Sequence, residues 1–127
     1  MIGHVDNSGR AFLYAKLFFG PAQTTVTIDA WVDTGFTGDL VLPQFVIDQF
    51  QLPKSGSVDA VLADGSQIEL STYTCVIEWF GAERRLEVIA NNGTVPLIGV
   101  GLLLGKELRV DFRNNRVSLM PVASESG

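Results

Sequence analysis

Apolar and polar residues alternate along most of this chain. Val26, Ile28, Ala30 and Val32 share one face of a run whose other face carries Thr27, Asp29 and Trp31. A two-residue period of this kind predicts a strand with one buried side. Ala11 to Phe19 repeats the pattern with Leu13, Ala15, Leu17 and Phe19, and Gly20-Pro21-Ala22-Gln23 supplies the turn between the two. Leu40 to Leu42 reads as a further strand. Pro43 then suits the first position of a short helix, for which Val46, Ile47 and Phe50 provide an apolar stripe and Pro53-Lys54-Ser55-Gly56 the end.

Val58, Ala60 and Leu62 alternate towards Asp64-Gly65, after which Ile68 and Leu70 resume the pattern. An Asp-Gly pair between alternating runs predicts a hairpin. Tyr73 to Phe80 and Leu86 to Ala90 form another strand pair around Gly81-Ala82. Leu97-Ile98-Gly99 reads as a buried strand ending in glycine, and Leu102 to Leu104 as one helical turn. Leu108 to Phe112 and Val117 to Met120 close the chain as a hairpin around Asn114-Asn115. Met1 to Arg10 is a polar start, and the tail from Ala123 to Gly127 reads as frayed. Many short strands at even spacing, with one or two short helices, predict an all-β fold: a small, closed, mostly antiparallel barrel.

Composition narrows the function classes. The 127 residues suit a single domain, 1–127, with a core about 11–120 and short polar tails. With 46% hydrophobic and 18% charged residues the chain is not a disordered one. A net charge of −5, with Arg84-Arg85 as its one adjacent basic pair, argues against a nucleic-acid partner. The start lacks the pattern of a secretory signal, and Val95 to Gly105, the longest run of low polarity, is too short to span a bilayer. The expectation is a cytoplasmic protein with no membrane partner, in which Asn92-Gly93-Thr94 is a turn. Cys75 and His4 are each alone, so no disulfide, metal or other cofactor is expected, and Cys75 falls on an apolar strand face with Tyr73, Ile77 and Trp79.

The candidate chemistry lies at the end of the strand that begins near Val26. There the chain reads Asp33-Thr34-Gly35-Phe36-Thr37-Gly38 before turning back into Leu40. Gly35 and Gly38 would permit a tight loop with positive φ. An acid held on a turn between apolar strands is either a structural cap or a catalytic group. Asp29, Asp39, Asp64 and Asp111 read instead as surface or turn acids.

The stretch Ala30-Trp31-Val32-Asp33-Thr34-Gly35 with Leu40-Val41-Leu42-Pro43 resembles the catalytic loop of prokaryotic single-domain, retropepsin-like aspartic proteases. Leu97-Ile98-Gly99-Val100-Gly101-Leu102-Leu103 resembles that family's later apolar-apolar-glycine segment and its short helix, and the hairpin between lies where the family has a flap. The resemblance covers roughly Phe12 to Met120. It implies that Asp33 is the catalytic carboxylate, with Thr34 and Gly35 supporting the loop and Leu97, Ile98 and Gly99 packed beneath it. It also implies that Ala63, Asp64, Gly65 and Ser66 form a flap over a polypeptide substrate. One Asp-Thr-Gly per chain implies a homodimer, in which two Asp33 carboxylates share a proton and activate water. A non-catalytic peptide-binding module on the same fold is the alternative implication, and a structural barrel with Asp33 as a turn acid is a third reading. The chain departs from the family at Phe36, where pepsin-like members have a hydroxyl residue, and at Gly101, a weaker helix cap than Asp or Asn. The flap lacks the viral glycine run, and Pro121-Val122-Ala123-Ser124 is no obvious dimer strand.

Overall fold

A computed structural model describes residues 1–123; the part of the expected frayed tail from Ser124 onward lies outside the described residues. The elements in chain order are β1 (Ile2–Val5), β2 (Ala11–Phe19), β3 (Thr24–Val32), β4 (Leu40–Pro43), α1 (Gln44–Phe50), β5 (Lys54–Val61) and β6 (Gln67–Trp79). They continue with β7 (Ala82–Asn91), β8 (Leu97–Ile98), a 3-10 turn over Val100–Leu102, β9 (Lys106–Asp111) and β10 (Arg116–Pro121).

β2, β3, β8, β4, β7 and β6 pair in that order, and β6 returns to β2 through Lys16 opposite Glu78 and Leu17 opposite Ile77. That last pairing closes a barrel. The short β8 lies between β3 and β4, parallel to the first and antiparallel to the second. The pairing of β4 with β7 is also parallel, and the other ladders are antiparallel. The alternating faces meet inside: Leu13, Ala15, Leu17, Ala30, Leu40, Leu42, Ile77, Val88 and Ile98 are buried in one core. Trp79 joins them because its indole N–H donates to the Leu102 carbonyl at 3.0 Å, which satisfies its one polar atom. Cys75 is buried there as expected, and burial pushes its thiol up to about 12. Among the described residues, no helix is long and apolar enough to cross a membrane, and no cluster of His, Cys, Asp and Glu could hold a metal ion.

Several elements differ from the sequence expectation. The polar start contains β1, which joins β2 through His4 opposite Phe12 and β10 through Gly3 opposite Val117. Gly3 is needed at that point, since a β-carbon would overlap the Phe12 carbonyl. Pro43 lies just before α1 in extended backbone, φ −57° and ψ 144°, and α1 ends at Gln51 in the left-handed region, φ 53°. Lys54 to Gly56 are therefore strand, not helix end. The two runs around Ser71-Thr72 are one 13-residue strand, β6. Thr72 is buried there without cost to its hydroxyl, which is hydrogen-bonded to Ser55 Oγ at 2.9 Å. The helical turn starts at Val100, two residues before its expected position.

Candidate active site

β3 delivers Asp33 to the surface at its C-terminal end, and β8 holds it there. Trp31 N donates to the Pro96 carbonyl at 2.8 Å and Asp33 N to the Ile98 carbonyl at 2.8 Å. The Asp33 carboxylate accepts the Gly35 N–H at 2.9 Å, and the Asp33 carbonyl accepts Phe36 N at 3.2 Å. Both ends of this acid are thus hydrogen-bonded to its own loop. Asp33 as a whole is half-buried, while Thr34 and Gly35 are exposed and the Gly35 N–H to carboxylate bond lies at the surface.

The returning half of the loop is tied to the segment after β8. Gly99 N donates to the Asp39 carbonyl at 2.9 Å, Val100 N to the Phe36 carbonyl at 2.7 Å and Gly101 N to the Gly38 carbonyl at 2.9 Å. This approach leaves no room for side chains. A β-carbon on Gly99 would overlap the Gly38 carbonyl oxygen and the Phe36 ring, and one on Gly101 would overlap the Asp39 carboxylate. Neither Gly35 nor Gly38 has the positive φ expected of them. Gly38 serves close packing instead, because the Phe36 ring lies against its α-carbon. The aromatic side chain after the Asp-Thr-Gly triplet is turned onto the two glycines of the loop and its support.

Asp33, Thr34 and Leu97 come together with Trp31 and Val32 around an open cleft of about 280 Å³. Asp33 is the one carboxylate lining it. Ile98 and Gly99 are buried beside the loop rather than in the cleft. Ala63, Asp64, Gly65 and Ser66 form the exposed turn of the β5–β6 hairpin and do not line the cleft of this chain. The Asp64 carboxylate accepts the Ser66 N–H at 2.9 Å as well as its hydroxyl, and these bonds hold its carboxyl below the usual range.

Trp31 was not singled out from sequence. Its ring carries the Arg10 guanidinium 5.3 Å from its centroid, and the same guanidinium lies 5.3 Å from the Phe12 ring. Arg10 Nε in turn donates to Asp6 Oδ2 at 2.7 Å. One wall of the cleft is therefore braced by residues of the polar start. The available signal was the alternation itself, which put Trp31 opposite Val32 and so outside the core.

No protein-family model matches the sequence, and a comparison with curated proteins finds no match. Solved structures do match. A retropepsin-like aspartic protease from Rickettsia conorii is 17% identical with a TM-score of 0.61, over 94% of this chain and 88% of that one. The EIAV protease complexed with the inhibitor HBY-793 is 15% identical with a TM-score of 0.57, over 77% of this chain and 88% of that one. The simian foamy virus (mac) protease is 16% identical with a TM-score of 0.51, over 72% of this chain and 90% of that one.

Proposed function

Because the chain has the fold of the retropepsin-like aspartic proteases, we propose that it is an aspartic endopeptidase whose catalytic group is Asp33. The observation that carries the reading is the anchoring of Asp33 to β8 at the mouth of the cleft, with Gly35 donating to its carboxylate. An acid held on both sides can present one oxygen to a reacting water without losing its position, and fixed orientation lowers the cost of reaching the transition state.

Peptide hydrolysis by carboxylates needs two of them. One, ionised, takes a proton from the attacking water; the other, protonated, donates to the carbonyl oxygen as it gains charge. Two like charges in close contact cannot both ionise easily, so they share one proton, and aspartic proteases are the standard example of this behaviour. The shared titration is a property of the pair rather than of either acid. Since Asp33 is the one carboxylate in the cleft, the second comes from another copy, and a two-fold axis between the two Asp33 side chains is the simplest completion. The β5–β6 hairpin then serves as the flap over an extended polypeptide, with Thr34 and Gly35 supporting the loop.

The test is a peptide-library digest with wild-type protein beside Asp33→Asn. Asn keeps the shape of the side chain and cannot act as a base. Cleavage by the wild type and none by a folded Asp33→Asn protein is the expected result. Equal cleavage by both would remove Asp33 from the mechanism. Peptide binding by the wild type without cleavage would instead identify a binding module.

A further inference from the structure

The Asp33 loop leans on the 3-10 turn over Val100–Leu102, and that turn has little of its own to fix it. Gly99, Val100 and Gly101 spend their N–H groups on carbonyls of the loop, those of Asp39, Phe36 and Gly38. Glycine at two of these three positions leaves a single side chain to pack there, and no side chain caps the start of the turn. The far end is held differently. Trp79 Nε1 donates to the Leu102 carbonyl at 3.0 Å, the one side-chain hydrogen bond to residues 99–104 among the described residues.

We propose that Trp79 is a positioning residue for the Asp33 loop: it anchors the far end of this turn, and Phe80 locks the anchor against Lys106. The inference deepens the reading of Asp33 as the catalytic group and rests on it for the reaction. The anchor itself rests on the indole hydrogen bond and on the backbone of Phe80-Gly81.

The turn touches both ends of Asp33. The Asp33 carbonyl accepts Phe36 N at 3.2 Å, and the Phe36 carbonyl accepts Val100 N at 2.7 Å. On the other side, Asp33 N donates to the Ile98 carbonyl at 2.8 Å, one residue before Gly99. Leu102 N donates to the Gly99 carbonyl at 3.2 Å, so the two ends of the turn move together. A displacement of Leu102 is therefore passed to the N–H and the carbonyl of Asp33 alike. Leu102 is fully buried and Trp79 is 2% exposed, so loss of the indole donor would leave the Leu102 carbonyl without a partner.

Phe80 keeps Trp79 in place at a cost. Phe80 and Gly81 are the two residues joining β6 to β7, and both have positive φ, 53° and 78°. Asn-Gly suits such a turn, whereas a phenylalanine at positive φ is strained. Strain of this kind persists where the surroundings impose it, often at functional sites. Here the ring stands edge-on to the Trp79 indole, with centroids 5.5 Å apart, and carries the Lys106 ammonium 4.7 Å from its own centroid. Lys106 N donates to the Leu103 carbonyl at 3.1 Å, so the ring joins the indole to the chain just beyond the turn. The end of β6, the turn and the start of β9 are clasped at one point.

Kinetics and amide exchange together separate positioning from plain core packing. Trp79→Phe keeps an aromatic ring and removes the donor. At concentrations where activity per chain has stopped rising, its kcat should fall about tenfold, well within what misplacing a catalytic group costs. KM should be unchanged, because Trp79 does not line the cleft. Exchange at the Gly99, Val100 and Gly101 amides should quicken while the β2 and β3 amides keep their protection. Phe80→Asn relieves the turn and should unfold at the wild-type urea concentration, yet lose about threefold in kcat, the size of one surface cation–π contact. Phe80→Tyr keeps the ring and should keep kcat. Wild-type kcat in Trp79→Phe overturns the role of Trp79, as does exchange that quickens equally in β2 and β3, the mark of a core residue alone. Wild-type kcat in Phe80→Asn, or a kcat loss matched by lost stability, overturns the part given to Phe80. If Trp79→Phe fails to fold, exchange at the same three amides in Phe80→Asn decides the anchor. A wild type that cleaves no peptide overturns the Asp33 reading. Exchange in Trp79→Phe then decides the anchor: quickening confined to the three amides supports it, and uniform or absent quickening overturns it.

Discussion

The ring of Phe36 lies where a side chain on Gly99 would have to go. The Gly38 and Phe36 carbonyl oxygens close the same space, so the glycine after Leu97-Ile98 is there for close approach. Its φ of −98° is open to any residue. The contact joins the loop that carries Asp33 to the segment that supports it.

Gly99→Ala should therefore destabilise the protein by about 1–3 kcal/mol, the usual cost of overpacking. Phe36→Ala removes a half-buried ring and should cost about 3 kcal/mol. The double variant should cost only a little less than the sum, because it removes the ring but leaves the Gly38 and Phe36 carbonyl oxygens against the added methyl. Urea unfolding of the four proteins checks this. Fully additive costs would show that the two carbonyl oxygens alone, and not the ring, keep a side chain off Gly99.

Trp31 forms a wall of the cleft and is braced by Arg10 from outside. With 38% of its surface exposed, its ring contributes little to the core. Trp31→Ala should cost about 1 kcal/mol in stability, on the scale of an exposed cation–π contact. It should change the residues preferred beside the cleaved bond in a peptide library, and Arg10→Ala should do so to a smaller extent. Identical cleavage profiles for wild type and Trp31→Ala would remove Trp31 from substrate contact.

Cys75 should be inert in the folded protein. Burial raises its thiol from an ordinary 9.0 to about 12, so the folded state keeps the proton that the unfolded state loses above pH 9. Between those values the folded chain binds more protons than the unfolded one, and stability falls as pH rises, by up to about 1.4 kcal/mol per pH unit. The difference in unfolding free energy between wild type and Cys75→Ala should narrow or reverse from about pH 9 to about pH 11. A difference independent of pH would show that the thiol is not desolvated.

The Asp64 turn should respond to acid. Bonds from the Ser66 hydroxyl and N–H hold the Asp64 carboxyl below its ordinary 3.8. A depressed folded-state pKa means that these bonds support the turn above the ordinary carboxylate range and are lost as pH falls through the lowered value. The Ser66 amide proton resonance should titrate with a midpoint below 3.8. A midpoint at or above it would mean that the turn is not closed in solution. Amide exchange over Ala63 to Ser66 should also slow when a substrate-like inhibitor binds, if this hairpin covers the cleft.

Local patterns along the chain were enough to place β2, β3, β7 and the β5–β6 turn. Two-residue alternation, an Asp-Gly pair and a Gly-Pro turn act between neighbours, so they are written in consecutive residues. The resemblance around Asp33 and Leu97-Ile98-Gly99 was legible for the same reason: both segments are short and continuous. The missing parts are those decided by distant partners. β1 has no pattern of its own and forms because β2 and β10 each offer it an edge, with Gly3 lying against Phe12. β6 runs unbroken through Ser71-Thr72 because Ser55, seventeen positions before Thr72, satisfies the buried hydroxyl. The Phe36 ring and Gly99 meet only once β8 has entered between β3 and β4, and Arg10 reaches Trp31 only across β2. Alternation assigns each side chain to a face of its strand; which side chain lies opposite it is set by the closure of the barrel, since that closure alone fixes the register between strands remote in sequence.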